Sequence, residues 1–266
     1  MPSAVAVGSM VGLEIADNVA HVVLNAPARL NSLDAAALRD LSAAYAAAEA
    51  AGVRALVVRG EGRAFCAGRD ISGVDPRTDD VAGYLGGLVE PLLRRMSAFP
   101  APTFAAAHGA CLGVGLGLLI ATDVVYVADT AAIGSPFANL GATLDSGGHA
   151  LFVERLGAHR TLDLIYSGRL MSGAEAVAAG LFSQTFPANE VTEAAVRAAV
   201  SAASGATRAF LASKALVHQL RDERLGLWQS MGIENAAQAE LCATADYREG
   251  FLAFQEKRPP VFTGRG

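Results

Sequence analysis

Two stretches far apart in the chain, Arg63-Ala-Phe-Cys-Ala-Gly-Arg-Asp-Ile71 and Ala107-His-Gly-Ala-Cys-Leu-Gly-Val-Gly115, have the residue types of an anion-binding backbone. Glycine lets the main chain approach a ligand closely, and a helix that opens at Gly113 points unpaired amides and its positive dipole end outward. Two such N–H groups aimed at one oxygen make an oxyanion hole, which acyl transfer and enolate chemistry both need. Each donor contributes about 3 kcal/mol to the transition state.

Asp145 is the second residue that can do chemistry. It stands among Phe137, Leu140, Leu144, Leu151 and Phe152, and burial in that setting would raise its pKa and make it a base near neutral pH. A plain loop-capping aspartate is the competing reading of the same local sequence. Three other patterns fall short of a site. Asp145-Ser-Gly-Gly-His149 holds the residue types of a hydrolytic triad, but no G-x-S-x-G elbow surrounds Ser146. Cys66 has no recognisable base and reads as a small buried residue. Gly109, Gly113, Gly115 and Gly117 lack the G-x-G-x-x-G order and the following acid of a dinucleotide loop, so close helix packing accounts for them. The five histidines show no ligand spacing, and no metal site is expected.

The elements that must position these residues alternate. Val11 to Ile15 and Ala20 to Leu24 predict a β-hairpin around Asp17-Asn18. Asp34 to Ala51 is alanine-rich with Leu38, Leu41 and Tyr45 at helical spacing, and Ala55 to Val58 follows as a buried strand. Helix is predicted over 79–96, strand over 103–107, helix over 113–121 and strand over 124–127. Ser172-Gly-Ala-Glu175 is a capping box, and 181–186 reads as a strand. Beyond about residue 190 only helices are expected, over 190–203, 206–220 and 225–245. The order is that of an α/β protein with a helical C-terminal part.

At 266 residues, the chain is long enough to bury about three quarters of its unfolded surface. Apolar residues make up 52% and charged residues 18%, as in a packed enzyme. The net charge of −5, without a basic stripe, argues against a nucleic-acid partner. Three cysteines with no C-x-x-C pair argue against a disulfide framework, and no basic segment precedes an early apolar run, so a cytoplasmic location is expected. The longest apolar run, 104–121, holds His108 and four glycines and is not expected to span a membrane.

Taken in order, the landmarks resemble the crotonase (enoyl-CoA hydratase/isomerase) superfamily over nearly the whole chain. They are Leu24-Asn-Ala-Pro27 with Asn31-Ser-Leu33, Ala64 to Ile71, His108 to Gly113 through Asp123, Ile133-Gly-Ser-Pro-Phe137, Gly141 to Gly148, Ser172 to Ala176 with Gly180-Leu181, and Phe254-Gln-Glu-Lys-Arg258 with Phe262. The resemblance implies a spiral of ββα units over residues 1–200 and a helical region over 201–266 that builds homotrimers, often paired into hexamers. It implies an acyl-CoA substrate, with coenzyme A as part of that substrate and no separate cofactor. The two oxyanion donors fall on the backbone N–H of Arg69 and Val114, with Gly113 beside them. Arg29, Ala67, Asp70 and Ile71 match positions lining the CoA nucleotide, and Lys257 matches a basic residue approaching CoA from a neighbouring segment or subunit. Tyr84, Leu88, Phe137 and Leu144 are expected around the acyl group.

The sequence departs from the hydratases at the two positions where they carry water-activating glutamates, which here are Gly117 and Phe137. Some isomerases place one acid in the following loop instead, and Asp145 falls there. The resemblance therefore implies a double-bond isomerase with Asp145 as base, with a hydratase using an unusual base and a non-catalytic CoA-binding homologue as the other readings.

Overall fold

A computed structural model describes residues 3–6, 8 and 10–264. The chain opens with three antiparallel strands, β1 (Ser3–Ala6), β2 (Val11–Ala16) and β3 (Val19–Leu24). The β2–β3 turn is Asp17-Asn18, both in left-handed backbone at φ 51 and φ 61, the conformation a two-residue hairpin demands and these residue types tolerate. Asp34 then caps α1 (Ala35–Ala50), its carboxylate accepting from Ala37 N–H at 2.8 Å. Leu38, Leu41, Ala44, Tyr45 and Ala48 form the buried stripe of that helix. It returns the chain to β4 (Ala55–Gly60), parallel to β3.

From β4 onward the chain winds as a spiral. After α2 (Val81–Tyr84) and α3 (Glu90–Ser97) come β5 (Thr103–Ala107), β6 (Ala110–Leu112) and α4 (Val114–Ile120). The next turn is β7 (Val124–Ala128), β8 (Ala132–Gly134) and α5 (Gly148–Ser167). The third runs through β9 (Met171–Ser172), α6 (Gly173–Ala178) and β10 (Gln184–Phe186). One large sheet has the order β1-β2-β3-β4-β5-β7-β10, and a small one the order β6-β8-β9. The β5-β6-α4 and β7-β8-α5 turns each place one strand in each sheet before the helix, the expected ββα repeat, whereas in the last turn the large-sheet strand β10 follows α6. Four more helices follow: α7 (Val191–Ala203), α8 (Thr207–Glu223), α9 (Leu227–Leu241) and α10 (Ala245–Glu256).

The structure departs from the expected elements at four places. The helix expected over 225–245 is α9, which ends at Leu241 with Cys242 as its C-cap, and α10 is a further helix beyond it, capped by Thr244, which accepts from Tyr247 N–H at 3.1 Å. The helix expected over 79–96 starts after its Asp80 cap and is interrupted by a π-turn, Leu85–Val89, which contains Gly86-Gly87. The strand expected over 181–186 is only Gln184–Phe186. The long α5 has no counterpart in the predicted elements, since it opens at glycine without a side-chain cap and is broken in mid-course by Gly157 at φ 76. The apolar run 104–121 is divided among β5, β6 and α4, and among the described residues no helix is long and apolar enough to cross a membrane.

Candidate active site

The two glycine-bearing stretches meet. Cys66 and Cys111 form a parallel bridge in which Cys66 N–H donates to Ala110 O at 2.9 Å and Leu112 N–H to Cys66 O at 3.0 Å. Continuing that register sets Gly68 beside Gly113 and Arg69 beside Val114. A Cβ on Gly68 would fall 2.8 Å from Leu112 O, and one on Gly115 would fall 2.4 Å from Cys66 O, so glycine is what lets the two segments close.

Both expected donors are unspent. Arg69 bridges Leu33 through its neighbours, Gly68 O accepting from Leu33 N–H at 2.8 Å and Asp70 N–H donating to Leu33 O at 3.0 Å. Its own N–H therefore points to the other side and has no acceptor among the described residues. Val114 is the first residue of α4, so its N–H has no acceptor within the helix. Gly113, at φ 52 and ψ −119, turns the chain into that helix while its own N–H donates to Gly134 O at 3.2 Å.

The segment carrying Arg69 is anchored by Asn31, which is buried and in left-handed backbone. Its side-chain amide donates to Glu61 O at 2.9 Å and Ala64 O at 2.8 Å, and its carbonyl accepts from Ala26 N–H at 2.8 Å. The same docking brings Ala67 N–H to Leu30 O at 2.9 Å and Arg29 to Asp70 at 2.5 Å. Arg29, Ala67 and Asp70 thus share one rim, with exposed Ile71 next to it. Lys257 ends α10, exposed and at φ 57, and among the described residues no hydrogen bond or ion pair ties it to that rim.

Packed on α4 at Gly117 lies the Asp145 turn. Asp145 is half-buried, and its Oδ1 accepts from the Ser146 hydroxyl at 2.8 Å. Burial pushes its carboxyl above the ordinary value, against the opposing pull of that hydroxyl and of the Arg69 cation. Leu144 is buried against Gly148 beneath the turn. The two positions that lack carboxylates are occupied otherwise. A Cβ on Gly117 would lie 2.5 Å from Ser146 Cβ and 3.1 Å from Ser146 O, so the Asp145-Ser146 turn fills the space where a side chain would project. The Phe137 ring covers Gly113, 2.9 Å from where a Cβ would stand.

Tyr84 is buried, its hydroxyl donating to Leu33 O at 2.9 Å, and Leu88 lies half-buried in the π-turn on the same helical segment. The Arg69 side chain, assigned no function from the sequence, sits 4.2 Å over the Tyr84 ring and pairs with Asp79. Nine residues of loop separate that pair, and no periodicity marks it. A cavity of about 1120 Å³ opens beyond Gly117 and Ser146, walled by Leu85, Val89, Leu93 and Ile120 and closed at its far side by α8. Cys66, with its thiol pushed up to about 12 by burial, has none of the thiolate character of a nucleophile. Among the described residues no group of three or more potential ligands is arranged to hold a metal ion.

A spiral of ββα turns that ends two glycine-bearing segments side by side, each with a spare amide, defines the class of protein. The sequence model of the family described as enoyl-CoA hydratase/isomerase matches residues 14–265, and the chain belongs to that family. A Rhodobacter capsulatus protein named as a probable enoyl-CoA hydratase is 34% identical over 252 residues, covering 95% of this chain and 97% of its own. The 2,3-dehydroadipyl-CoA hydratase of Escherichia coli is 32% identical, with 92% and 95% covered. Among solved structures, an enoyl-CoA hydratase subunit I from Geobacillus kaustophilus superposes with a TM-score of 0.87 at 30% identity, covering 97% of this chain and 99% of that one.

Proposed function

We propose that the protein moves the double bond of an enoyl-CoA thioester, with Asp145 as its single base and the N–H groups of Arg69 and Val114 as the oxyanion hole. The observation that carries this reading is at Gly117: the Asp145-Ser146 turn stands where a water-activating glutamate would need room. That turn carries one half-buried carboxylate, Asp145, held above its ordinary acidity range by burial.

In this mechanism the Asp145 carboxylate removes a proton from C2 of a 3-enoyl thioester. The electron pair moves into a dienolate whose oxygen is held by the two amides. Asp145 then returns the proton to C4, giving the 2-enoyl isomer with no change of mass. Arg29, Ala67, Asp70 and Ile71 receive the nucleotide end of CoA, with Lys257 brought up from a neighbouring copy. Tyr84, Leu88, Phe137 and Leu144 enclose the acyl group.

Names of relatives favour a second reading, hydration with Asp145 as an atypical base. Incubating the protein separately with 3-enoyl-CoA and 2-enoyl-CoA and following products by mass spectrometry separates the two. Isomer without mass change supports the proposal, and robust water addition to crotonyl-CoA overturns it in favour of the hydratase. No turnover of either compound, with CoA still bound, would mark a binding homologue.

The helices from residue 201 onward form the assembly region in this reading. Trp228 and Phe254, 78% and 85% exposed, lie on α9 and α10 with Leu227, Phe251 and Leu252 also exposed. Further copies of the same chain are the proposed cover.

A further inference from the structure

The N–H of Arg69 serves the hole in the reading above, but nothing in that role requires a guanidinium. The side chain is nonetheless held on two sides. Its Nη1 donates to one Asp79 carboxylate oxygen at 2.7 Å and its Nη2 to the other at 2.5 Å, with only 19% and 16% of the two side chains exposed. Its flat face rests on the Tyr84 ring, which is itself fixed by the hydroxyl bond to Leu33 O. We propose that Asp79 is a positioning residue that holds the Arg69 guanidinium on Tyr84 and keeps it from pairing with the Asp145 carboxylate.

The need for such a restraint follows from what surrounds Asp145. From the strand segment comes Arg69, from α2 comes Tyr84, and from its own turn comes the Ser146 hydroxyl. Exposed His149 follows one turn further along α5, and Gly117 of α4, packed on Ser146, is uncharged. Tyr84 in turn feels Cys66 and Asp34 besides Arg69 and Asp145. Among the described residues, Arg69 is thus the fixed cation with a direct electrostatic effect on Asp145. A guanidinium free to swing would form a charge-assisted pair with a half-buried carboxylate, since both would gain by it. That pair would stabilise the carboxylate and leave a weaker base. Asp79 stands at the end of the exposed loop that follows Asp70, immediately before the Asp80 cap of α2, so the same bond also ties that loop to the donor-bearing segment.

This inference rests on Asp145 being the base, and the test separates the two. The titration of Asp145 is followed in the free enzyme by carboxyl carbon NMR, assigned with Asp145→Asn, alongside the pH profile of isomerisation. In Asp79→Ala the Asp145 midpoint should fall by about one pH unit. The acid limb of kcat should move the same way, with a lower plateau and little change in KM. Asp79→Asn removes the charge with less change of shape and should move both in the same direction, while Asp79→Glu should restore them. Adding Arg69→Met to Asp79→Ala removes the released cation and should bring the midpoint back to the wild-type value or above. A midpoint unmoved in both Asp79→Ala and Asp79→Asn, or unaffected by the second substitution, overturns the proposal. A midpoint that moves while the acid limb does not upholds the restraint by Asp79 and removes Asp145 as the base.

Discussion

At Asp145 stability and chemistry pull in opposite directions. Its carboxyl is held above the ordinary value by burial, so the folded protein favours the neutral form while the proposed reaction needs the charged one. A raised folded-state pKa gives stability that is full below the unfolded value and is lost as pH rises through the folded value. Asp145→Asn should therefore melt higher than the wild type at pH 7 to 8, with the gain fading as pH falls toward the unfolded carboxyl pKa of about 4. The same substitution should lower isomerisation by about 100-fold or more while CoA affinity stays near wild type. Calorimetry across pH and turnover by mass spectrometry check both, and an Asn variant that isomerises at the wild-type rate makes Asp145 a loop residue. Wild-type activity should fall as pH drops through the Asp145 pKa. The local sequence left Asp145 open between base and loop cap, because neither burial nor a facing amide pair can be read from its neighbours. The order of landmarks along the chain is what suggested the base, and the substitution above tests it.

The elements carry chemistry through what their ends leave unbonded. Val114 occupies the first helical position of α4, where proline is well tolerated because that N–H has no helical partner and φ suits the ring. Val114→Pro thus removes one donor from the hole with limited cost to the helix, and kcat should fall by about 100-fold or more. Unchanged circular dichroism with collapsed turnover is the expected pair of results; turnover within a few-fold of wild type would mean that the amide is not used. Gly117 tests the other side of the same helix. A methyl there meets Ser146 Cβ at 2.5 Å, so Gly117→Ala must displace the Asp145 turn. Overpacking of this kind costs about 1 to 3 kcal/mol of stability, and kcat should drop with it because the proposed base moves. Gly117→Glu should likewise fail to create hydration of crotonyl-CoA. The glycines at 68, 113 and 115 were legible as close-approach positions, whereas α5 was not. An uncapped start at glycine and a break at Gly157 erase the signals by which a helix is read from sequence.

At the scale of the molecule, the alternation of strand and helix gave the α/β class, and the landmark order gave the spiral. The short strands of the small sheet escaped, since two or three residues leave no periodicity to detect. The C-terminal helices show the limit most clearly: helical spacing located α7, α8 and α9 but not α10, and the large apolar side chains of α9 and α10 stand exposed in one chain. Trp228, Phe251 and Phe254 expose large apolar area together with Leu227 and Leu252, more than scattered surface residues of a monomer require. If copies of the chain cover that area, light scattering coupled to gel filtration should give three or six times the 27.3 kDa of the single chain. Placing a charge in a shared apolar contact costs several kcal/mol per copy, so Trp228→Asp combined with Phe254→Asp should shift the population toward the single chain. The effect on activity distinguishes the cause. Lys257 adjoins this face and is exposed, so if it serves the CoA site of a neighbour, dissociation should raise KM for the thioester more than it lowers kcat. A wild-type chain that elutes at 27.3 kDa and is fully active would place CoA binding entirely within one copy and leave Lys257 outside the site.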